Sequence, residues 1–570
     1  MNYIEYSNVC DNIIQQTMQY IDTGNMRSYK LDKTLVESDD PVYVSAAASS
    51  APIVLAYTPA GVGKSALIED RVKLLQASGV PSENIIVLNM NIAKVKQMSR
   101  DLPGVRVMDF NAFTHGIFAI NNPECELSDI DSIASTLRLV DPNDLINKFI
   151  QALSIRDPKE RMVMCTLFAN KYQTFTPATL KAIGKSDYAL ESMICQNALY
   201  SYPQNPYEGV EAILINGVTN MSIPILCTIL EYANMYHCNL FITGSPDETL
   251  YEYNMAYANS MNIISSYNQK MKIDIIRLTK PKKMSKDILN LLKMNPTAKI
   301  SRSVITAGSI NMDFGMSVVE AAMQFIGPGN PYLGTRLKKH EPVLVLARSR
   351  RDIKDIKEAI INCYYKDYPN LKILDLTERQ IPSAIYGEFA SKHISDLVAK
   401  YPRGLVVGEL LNDVYNWLDE AERNSASTYT QSMYNDAKYE LLPFSQRHMD
   451  KFVSLDQKFD NVKELVQLLI DTESQDIQNV LNDMKEKDTM DMTGMDIVMS
   501  TVHTAMDIRM DHVIAFIKTN KNAENQPSTA EDEAFYRVAL SRANKTECII
   551  FANYGCFDLP HERYLKEHLE

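Results

Sequence analysis

The sequence predicts an α/β fold built on parallel β-sheet with helices on both faces, and three observations carry that expectation. The run TPAGVGKS, Thr58 to Ser65, lies between a strand-like stretch and a helix-like one. Short uninterrupted apolar runs, among them IVLAY, AILI and LFIT, have the character of strands buried on both faces. Helix-like segments separate these runs, the alternation that βαβ crossovers produce. At 570 residues the chain is too long for one core, and about 150 residues per domain suggests three or four units.

Taken in order, Ile53 to Tyr57 forms the first strand and delivers the chain into TPAGVGKS. Gly61 and Gly63 permit a tight turn with inward N–H groups, Lys64 supplies charge for outer phosphates, and the Ser65 hydroxyl is a magnesium ligand. The general motif opens on glycine; Thr58 stands there instead. A helix from Ala66 to Ala77 follows. Ile85 to Leu88 is a second strand, ending at Asn89 before a helix that carries Lys94, Lys96 and Met98. Val105 to Phe110 is a third, leading through Asn111 into AFTHGIF. Far downstream, Ala212 to Ile215 and Leu240 to Thr243 give two more strands, the last ending at Gly244.

Composition narrows the class. Hydrophobic residues at 45% and charged residues at 23% are those of a globular chain, without low-complexity tracts or repeats. Nine cysteines without a CxxC pair or His/Cys cluster argue against structural zinc and a disulfide framework, and are expected as buried thiols. The opening MNYIEYSNVCDNIIQQ lacks the features of a signal peptide, and no run approaches eighteen apolar residues, so a cytoplasmic protein without membrane contact is expected. A net charge of −13 argues against a broad basic surface for nucleic acid. Lys280, Lys282, Lys283 and Lys286, and Arg348, Arg350 and Arg351, read as solvated basic faces. Abundant Met (28) and Tyr (30) beside a single tryptophan, Trp417, is a composition met in A/T-rich viral or phage genomes.

The order of these pieces resembles superfamily 1 helicases of the UvrD/Rep type, in short islands across most of the chain. TPAGVGKS is similar to motif I, LNMNIAKVKQM to motif Ia and VMDFNAF to motif Ib. IIRLTKPKKMSKDILNLL resembles the entry into the second RecA-like domain, with Lys283 at the family's arginine. VLVLARSR resembles the motif IV strand, with Arg348 and Ser349. VMSTVHTAMDIRMDHVIAF resembles motif V, and FYRVALSRANKTECIIFAN resembles motif VI, with Arg542 at the arginine-finger position. Each island alone reads as an ordinary buried strand and helix; together, in order, they point to the family.

The resemblance implies two RecA-like domains, the first from residues 1–116 and 207–280, the second from 281–380 and 492–570. Residues 117–206 and 381–491 would be mainly helical accessory insertions, the second containing DNVKELVQLLIDTESQDIQNVLNDMKEK. Gly61, Gly63, Lys64, Ser65, Lys283, Arg348 and Arg542 would line a nucleotide cleft, with Lys64 and Arg542 on facing walls. Phe110, Tyr251 and Tyr253 fall where the family stacks DNA bases, although core positions are the expectation for all three.

The departures bear on activity. Motif II should end its strand on Asp-Glu, the Asp for magnesium and the Glu for the attacking water; here Asn216 and Gly217 stand there, and INGVTN replaces the acidic motif. An amide oxygen is a poorer ligand for a hard cation than a carboxylate, and glycine takes no proton. In motif III, Ser245 and Pro246 occupy the acidic run, Glu248 the phosphate-sensing glutamine and Asn254 an arginine. A carboxylate about 4 Å from a γ-phosphate would repel it by roughly 1–4 kcal/mol. Tyr43 aligns with the adenine-reading glutamine, and in motif V Lys-Gly-Leu-Glu becomes Met506, Asp507, Ile508 and Arg509, while Thr501 and His503 keep the family's types.

The expectation is therefore a catalytically degraded helicase-like protein serving as a protein-binding adaptor or scaffold, one instance being cargo selection for a phage nucleus-like compartment. It requires no cofactor, its partners are other proteins, and single-stranded DNA binds weakly or not at all. Two other readings compete: an ATP-dependent single-stranded DNA translocase, and a switch that binds Mg-ATP weakly without turnover.

Overall fold

The computed structural model describes residues 3–59, 61–90, 92–128, 130–140, 143–279, 304–311, 331–364, 368, 371–377, 405–424, 458–459, 494–518 and 530–553. Lys283, the other lysines around it and the DNVKEL segment lie outside the described residues, as does most of 381–491.

Twelve strands form two six-stranded sheets. In chain order they are β1 (Ile53–Tyr57), β2 (Ile85–Asn89), β3 (Arg106–Asp109), β4 (Ala212–Asn216), β5 (Asn239–Gly244), β6 (Ile273–Arg277), β7 (Val304–Asn311), β8 (Val343–Ala347), β9 (Ile373–Asp375), β10 (Ile497–Thr501), β11 (Met510–Lys518) and β12 (Ala543–Asn553). The first sheet runs β3-β2-β4-β5-β1-β6 and the second β9-β10-β8-β11-β12-β7. Every neighbouring pair in both sheets is parallel. The class is α/β on parallel sheet, as the apolar runs imply: β1, β2, β4, β5, β8 and β10 are buried at every position, which is what coverage on both faces demands.

Eight helices bear on the site: α1 (Tyr3–Gln19), α2 (Lys64–Ala77), α3 (Ile92–Asp101), α4 (Phe110–Asn121), α5 (Tyr188–Ala198), α6 (Ile223–Met235), α7 (Arg350–Tyr364) and α8 (Ala530–Leu540). One core joins Val54, Ala56, Val87, Leu214 and Phe241 of the first sheet to Leu67, Ile68, Val72 and Leu75 of α2. In the second sheet, Val343, Val345, Ile497, Met499 and Ile514 pack on Ile353, Ile356 and Ile360 of α7. Local chemistry places the helix starts. Asp109 accepts from the Asn111 and Ala112 N–H groups at 2.9 and 3.0 Å and so caps α4, and Ser349 does the same for α7 through the Asp352 N–H.

Residues 1–127, 166–377 and 492–570 form one compact unit that holds both sheets; 128–165 and 378–491 form a second. In the stretch 117–206, helices Ile130–Leu137, Asp144–Leu153, Pro158–Lys171, Phe175–Ile183 and α5 make the segment largely helical. Among the described residues no helix is long and apolar enough to cross a membrane. Of the described cysteines, Cys10, Cys165, Cys195, Cys227 and Cys238 are buried thiols, while Cys125 and Cys363 are partly exposed.

Candidate functional site

The loop after β1 is held at its entry by Thr58, which is fully buried; its N–H and hydroxyl both donate to the Gly244 carbonyl, at 2.8 and 3.3 Å. A threonine at the motif's first position thus ties the loop to the end of β5. Gly61 and Gly63 both have positive φ, 84° and 93°, the left-handed backbone that glycine adopts without steric cost. Gly63 is the N-cap of α2, so the helix begins at Lys64, two residues earlier than its apolar pattern implies. Lys64 and Ser65 therefore sit in the first turn, where backbone N–H groups lack intrahelical partners and the helix dipole is positive.

These residues open on a cavity of about 390 Å³. The first sheet's side contributes Gly61, Gly63, Lys64, Ser65, Glu69, Lys94, Asn216, Gly217, Asn220, Glu248 and Tyr251 to its wall, and the second sheet's side contributes His503, Met506, Arg509 and Arg542. Lys64 and Arg542 thus line one cavity despite their separation in sequence. Arg348 is not among its lining residues; its guanidinium lies 5.3 Å from the centroid of the Phe535 ring.

The end of β4 has neither acid nor base. Asn216 donates from its amide to Asn89 Oδ1 at 2.7 Å. Gly217 lies in the left-handed region with φ 87° and ψ 51°, and its N–H donates to the Thr243 carbonyl at 3.0 Å. The backbone itself, and not only the side chain, departs from what a glutamate at this place would adopt.

Glu248 is 4% exposed, and its Oε2 is ion-paired with Lys64 Nζ. Two clamps set it there. Asn220 donates from its amide to the Glu248 carbonyl at 2.9 Å and accepts from the Leu250 N–H at 2.8 Å. Thr219 donates to the Ser245 carbonyl at 2.9 Å. Glu248 Oε1 is buried with no hydrogen-bond partner among the described residues. In the sequence Glu248 reads as a group that repels phosphate; only the fold reveals that its carboxylate lies on Lys64.

The cationic residues are held by their surroundings. Arg542 donates from Nε to the Val538 carbonyl and the Ser541 hydroxyl, both at 3.1 Å, and from Nη1 to the Met506 carbonyl. Burial pushes the Arg509 guanidinium down to about 9; the Arg542 charge pushes the same way and Glu248 opposes. Burial, reinforced by the Arg348 charge, lowers His503 to about 4, so its imidazole is neutral at pH 7. Lys94 and Arg509 line the site although no motif spacing singles them out as ligands.

The aromatic candidates separate. Phe110 is buried in the first turn of α4, a core residue as expected. Tyr251 donates from its hydroxyl to the His503 carbonyl at 3.1 Å, and its ring is edge-on to the His503 ring at 5.4 Å. Tyr253 is 48% exposed, so the core expectation fails there; it lies in a short 3₁₀ turn, Glu252–Asn254, that carries it to the surface, with its ring 5.8 Å from Tyr251. Tyr43 is buried and donates to Asp70 Oδ2 at 2.9 Å, which commits its hydroxyl to a carboxylate of α2.

The donor set does not fit magnesium. Such an ion is held by one or two carboxylates together with substrate phosphates. Here the neutral oxygens of Ser65 and Asn216 are what the loop and the end of β4 offer; of the two carboxylates on the wall, Glu248 is on Lys64, and burial raises the Glu69 carboxyl, which favours its neutral form. The arrangement offers a recess for an anion lined by the cations Lys64, Lys94, Arg509 and Arg542 and already supplied with two carboxylates, Glu69 and Glu248. Compared with known proteins, the chain matches no protein-family model and no curated protein.

Proposed function

We propose that this chain is a helicase-like protein that has lost its motor chemistry and acts as a protein-binding adaptor or scaffold. The observation that carries the reading is the ion pair between Lys64 and Glu248, beside a strand end whose residues are Asn216 and a left-handed Gly217. Hydrolysis needs a base on water and a charged ligand on the metal, and loss of a general base alone costs about 10²–10⁴ in rate. The family reading, with two RecA-like domains sharing the cavity, is supported by the two parallel sheets and by Lys64 and Arg542 lining it together. Fold analogy licenses an activity far less than site chemistry does.

The adaptor half of the proposal draws on surface character. Eight of the fifteen large apolar side chains exposed among the described residues fall within 117–206: Ile120, Leu127, Leu139, Val140, Met164, Leu167, Tyr188 and Tyr200, with Leu139 at 87% exposure. Ile120, Leu127, Leu167, Tyr188 and Tyr200 belong to the first compact unit and Leu139, Val140 and Met164 to the second, and we take them as the candidate contacts for other proteins. Selection of protein cargo for a phage nucleus-like compartment is the specific form of adaptor we carry forward. A second reading, a nucleotide-sensing switch without turnover, is favoured by the cations Lys94, Arg509 and Arg542 on the cavity wall.

The test compares two sets of variants in the cells where the protein acts. Lys64→Ala and Arg542→Ala address the cavity; charge insertions such as Leu139→Asp on the second compact unit and Tyr200→Asp on the first address the exposed apolar side chains. The adaptor reading predicts loss of partner capture and cellular activity in the second set alone. Loss confined to the cavity set, with every surface variant silent, overturns it.

A further inference from the structure

We propose that Glu248 is a tethered anion that fills the phosphate position of the cavity, so that this chain's own carboxylate, and not a nucleotide, is the ligand of Lys64. The inference rests on reading the cavity as a relic nucleotide site. It goes beyond that reading by assigning the site an internal occupant and a means of release.

Four features agree. The first is the pairing itself: Glu248 Oε2 lies on Lys64 Nζ at the N-terminus of α2, where the loop would otherwise present charge and N–H groups to a phosphate. The second is construction. Asn220 grips the backbone on the C-terminal side of the carboxylate, through the Glu248 carbonyl and the Leu250 N–H, and Thr219 holds Ser245 on the N-terminal side. A side chain that merely drifted toward a lysine would not have its main chain anchored at three points.

The third feature is charge exchange. Against the helicase pattern, the chain has a carboxylate where motif III has a neutral glutamine, and an arginine, Arg509, where motif V has a glutamate. Arg509 and Glu248 line the same cavity and attract each other. Two departures that look like separate losses in the sequence are complementary in space. The fourth is reach. The segment carrying Glu248 also reaches elements beside the second sheet, through Asp247 to Arg537 of α8 at 3.9 Å and through the Tyr251 hydroxyl to the carbonyl of His503, just after β10, at 3.1 Å. Glu248 therefore stands where a nucleotide's terminal phosphate would couple the two sheets, and makes that coupling a constant property of the fold.

An incoming phosphate must displace a carboxylate that is covalently tethered, whose effective concentration is that of an intramolecular partner, on the order of millimolar or above. The site is closed to nucleotide by competition and not by loss of the loop. Removing the charge while keeping the shape, with Glu248→Gln, opens it.

The experiment titrates full-length protein with the fluorescent nucleotide mant-ATP in magnesium buffer and confirms the result by calorimetry with ATP. Wild type, Glu248→Gln and Lys64→Ala/Glu248→Gln are compared, each checked by thermal melting. The expected result is binding about tenfold tighter or more by Glu248→Gln than by wild type, as removal of a tethered competitor requires, with the gain lost in the double variant. Equal affinity in wild type and Glu248→Gln, or no binding by a folded Glu248→Gln, overturns the proposal. Should Glu248→Gln fail to fold, Glu248→Ala, which also removes the tethered carboxylate, takes its place under the same criteria. Hydrogen exchange is a further measurement: at an ATP concentration that protects the amides of residues 61–66 in Glu248→Gln, the same amides in wild type are expected to be less protected, and equal protection overturns the proposal. The outcomes also separate this inference from the proposed function. ATP hydrolysis by Glu248→Gln would overturn the loss of motor chemistry while leaving the tethered anion intact. Absence of binding would remove the tethered anion and leave the adaptor reading standing.

Discussion

Asn216→Asp together with Gly217→Glu puts the missing acidic pair back at the end of β4, and the expected outcome is that this restores nothing. Gly217 has φ 87°, and an L-residue in left-handed backbone costs roughly 1–2 kcal/mol. A Cβ built there meets no atom within 4 Å, so crowding adds nothing to the backbone term. Asn216→Asp removes the amide that donates to Asn89, a net loss of about 1 kcal/mol. Together these come to about 2–3 kcal/mol. At roughly 2 °C per kcal/mol for a large unit, the melting temperature falls by about 4–6 °C. Calorimetry reads the stability, and a phosphate-release assay with and without single-stranded DNA reads the activity. Turnover should stay at the level of Lys64→Ala, because Glu248 still holds Lys64 and the new glutamate grows from a strained backbone. DNA-stimulated hydrolysis in the double variant, abolished by adding Lys64→Ala, would refute the reasoning. An unchanged melting temperature would refute its backbone part.

Two further predictions concern pH. His503 is lowered in the fold to about 4 against an ordinary 6.5, so below pH 6.5 the unfolded chain takes up the proton first. The stability linked to this group is complete above pH 6.5 and is lost as the pH falls toward 4, by at most about 1.4 kcal/mol per pH unit. His503→Gln should flatten that part of the stability curve, and an unaltered slope contradicts the assignment. Glu231 on α6 is raised to about 7 by burial, against a hydrogen bond with Thr17 that lowers it. The folded protein there binds the extra proton, so stability is complete below pH 4.5 and falls as the pH rises through 7. Glu231→Gln should therefore stabilise the protein at pH 8 by up to about 3 kcal/mol and have little effect at pH 4, and equal melting shifts at the two values would rule this out.

The parts of this molecule legible from sequence are those that local physics decides. β1 begins and ends where IVLAY does, because a strand buried on both faces must be apolar throughout. The turn from β1 into α2 is legible because Gly61 and Gly63, both at positive φ, stand between an apolar run and a helix. Other features are settled only by distant contacts. β7, VITAGSIN, has no long apolar run, and is a strand by virtue of pairing with β12. The pairing of Lys64 with Glu248 depends on Asn220 fixing the backbone at Leu250, 30 residues further along the chain. Arg509 reads in sequence as a lost glutamate, and its relation to Glu248 exists only once the two sheets bring them to one cavity. Tyr253 illustrates the opposite error: a core position is expected for it, yet the 3₁₀ turn carries it to the surface.

The most direct test of the central claim is steady-state ATP hydrolysis by the purified full-length protein, with and without single-stranded DNA, beside Lys64→Ala. The two proteins should be indistinguishable under both conditions, since the lysine is engaged by Glu248 and no base or metal-holding carboxylate stands at Asn216 and Gly217. DNA-stimulated turnover by the wild type that Lys64→Ala abolishes would contradict the claim and return the chain to the motor class.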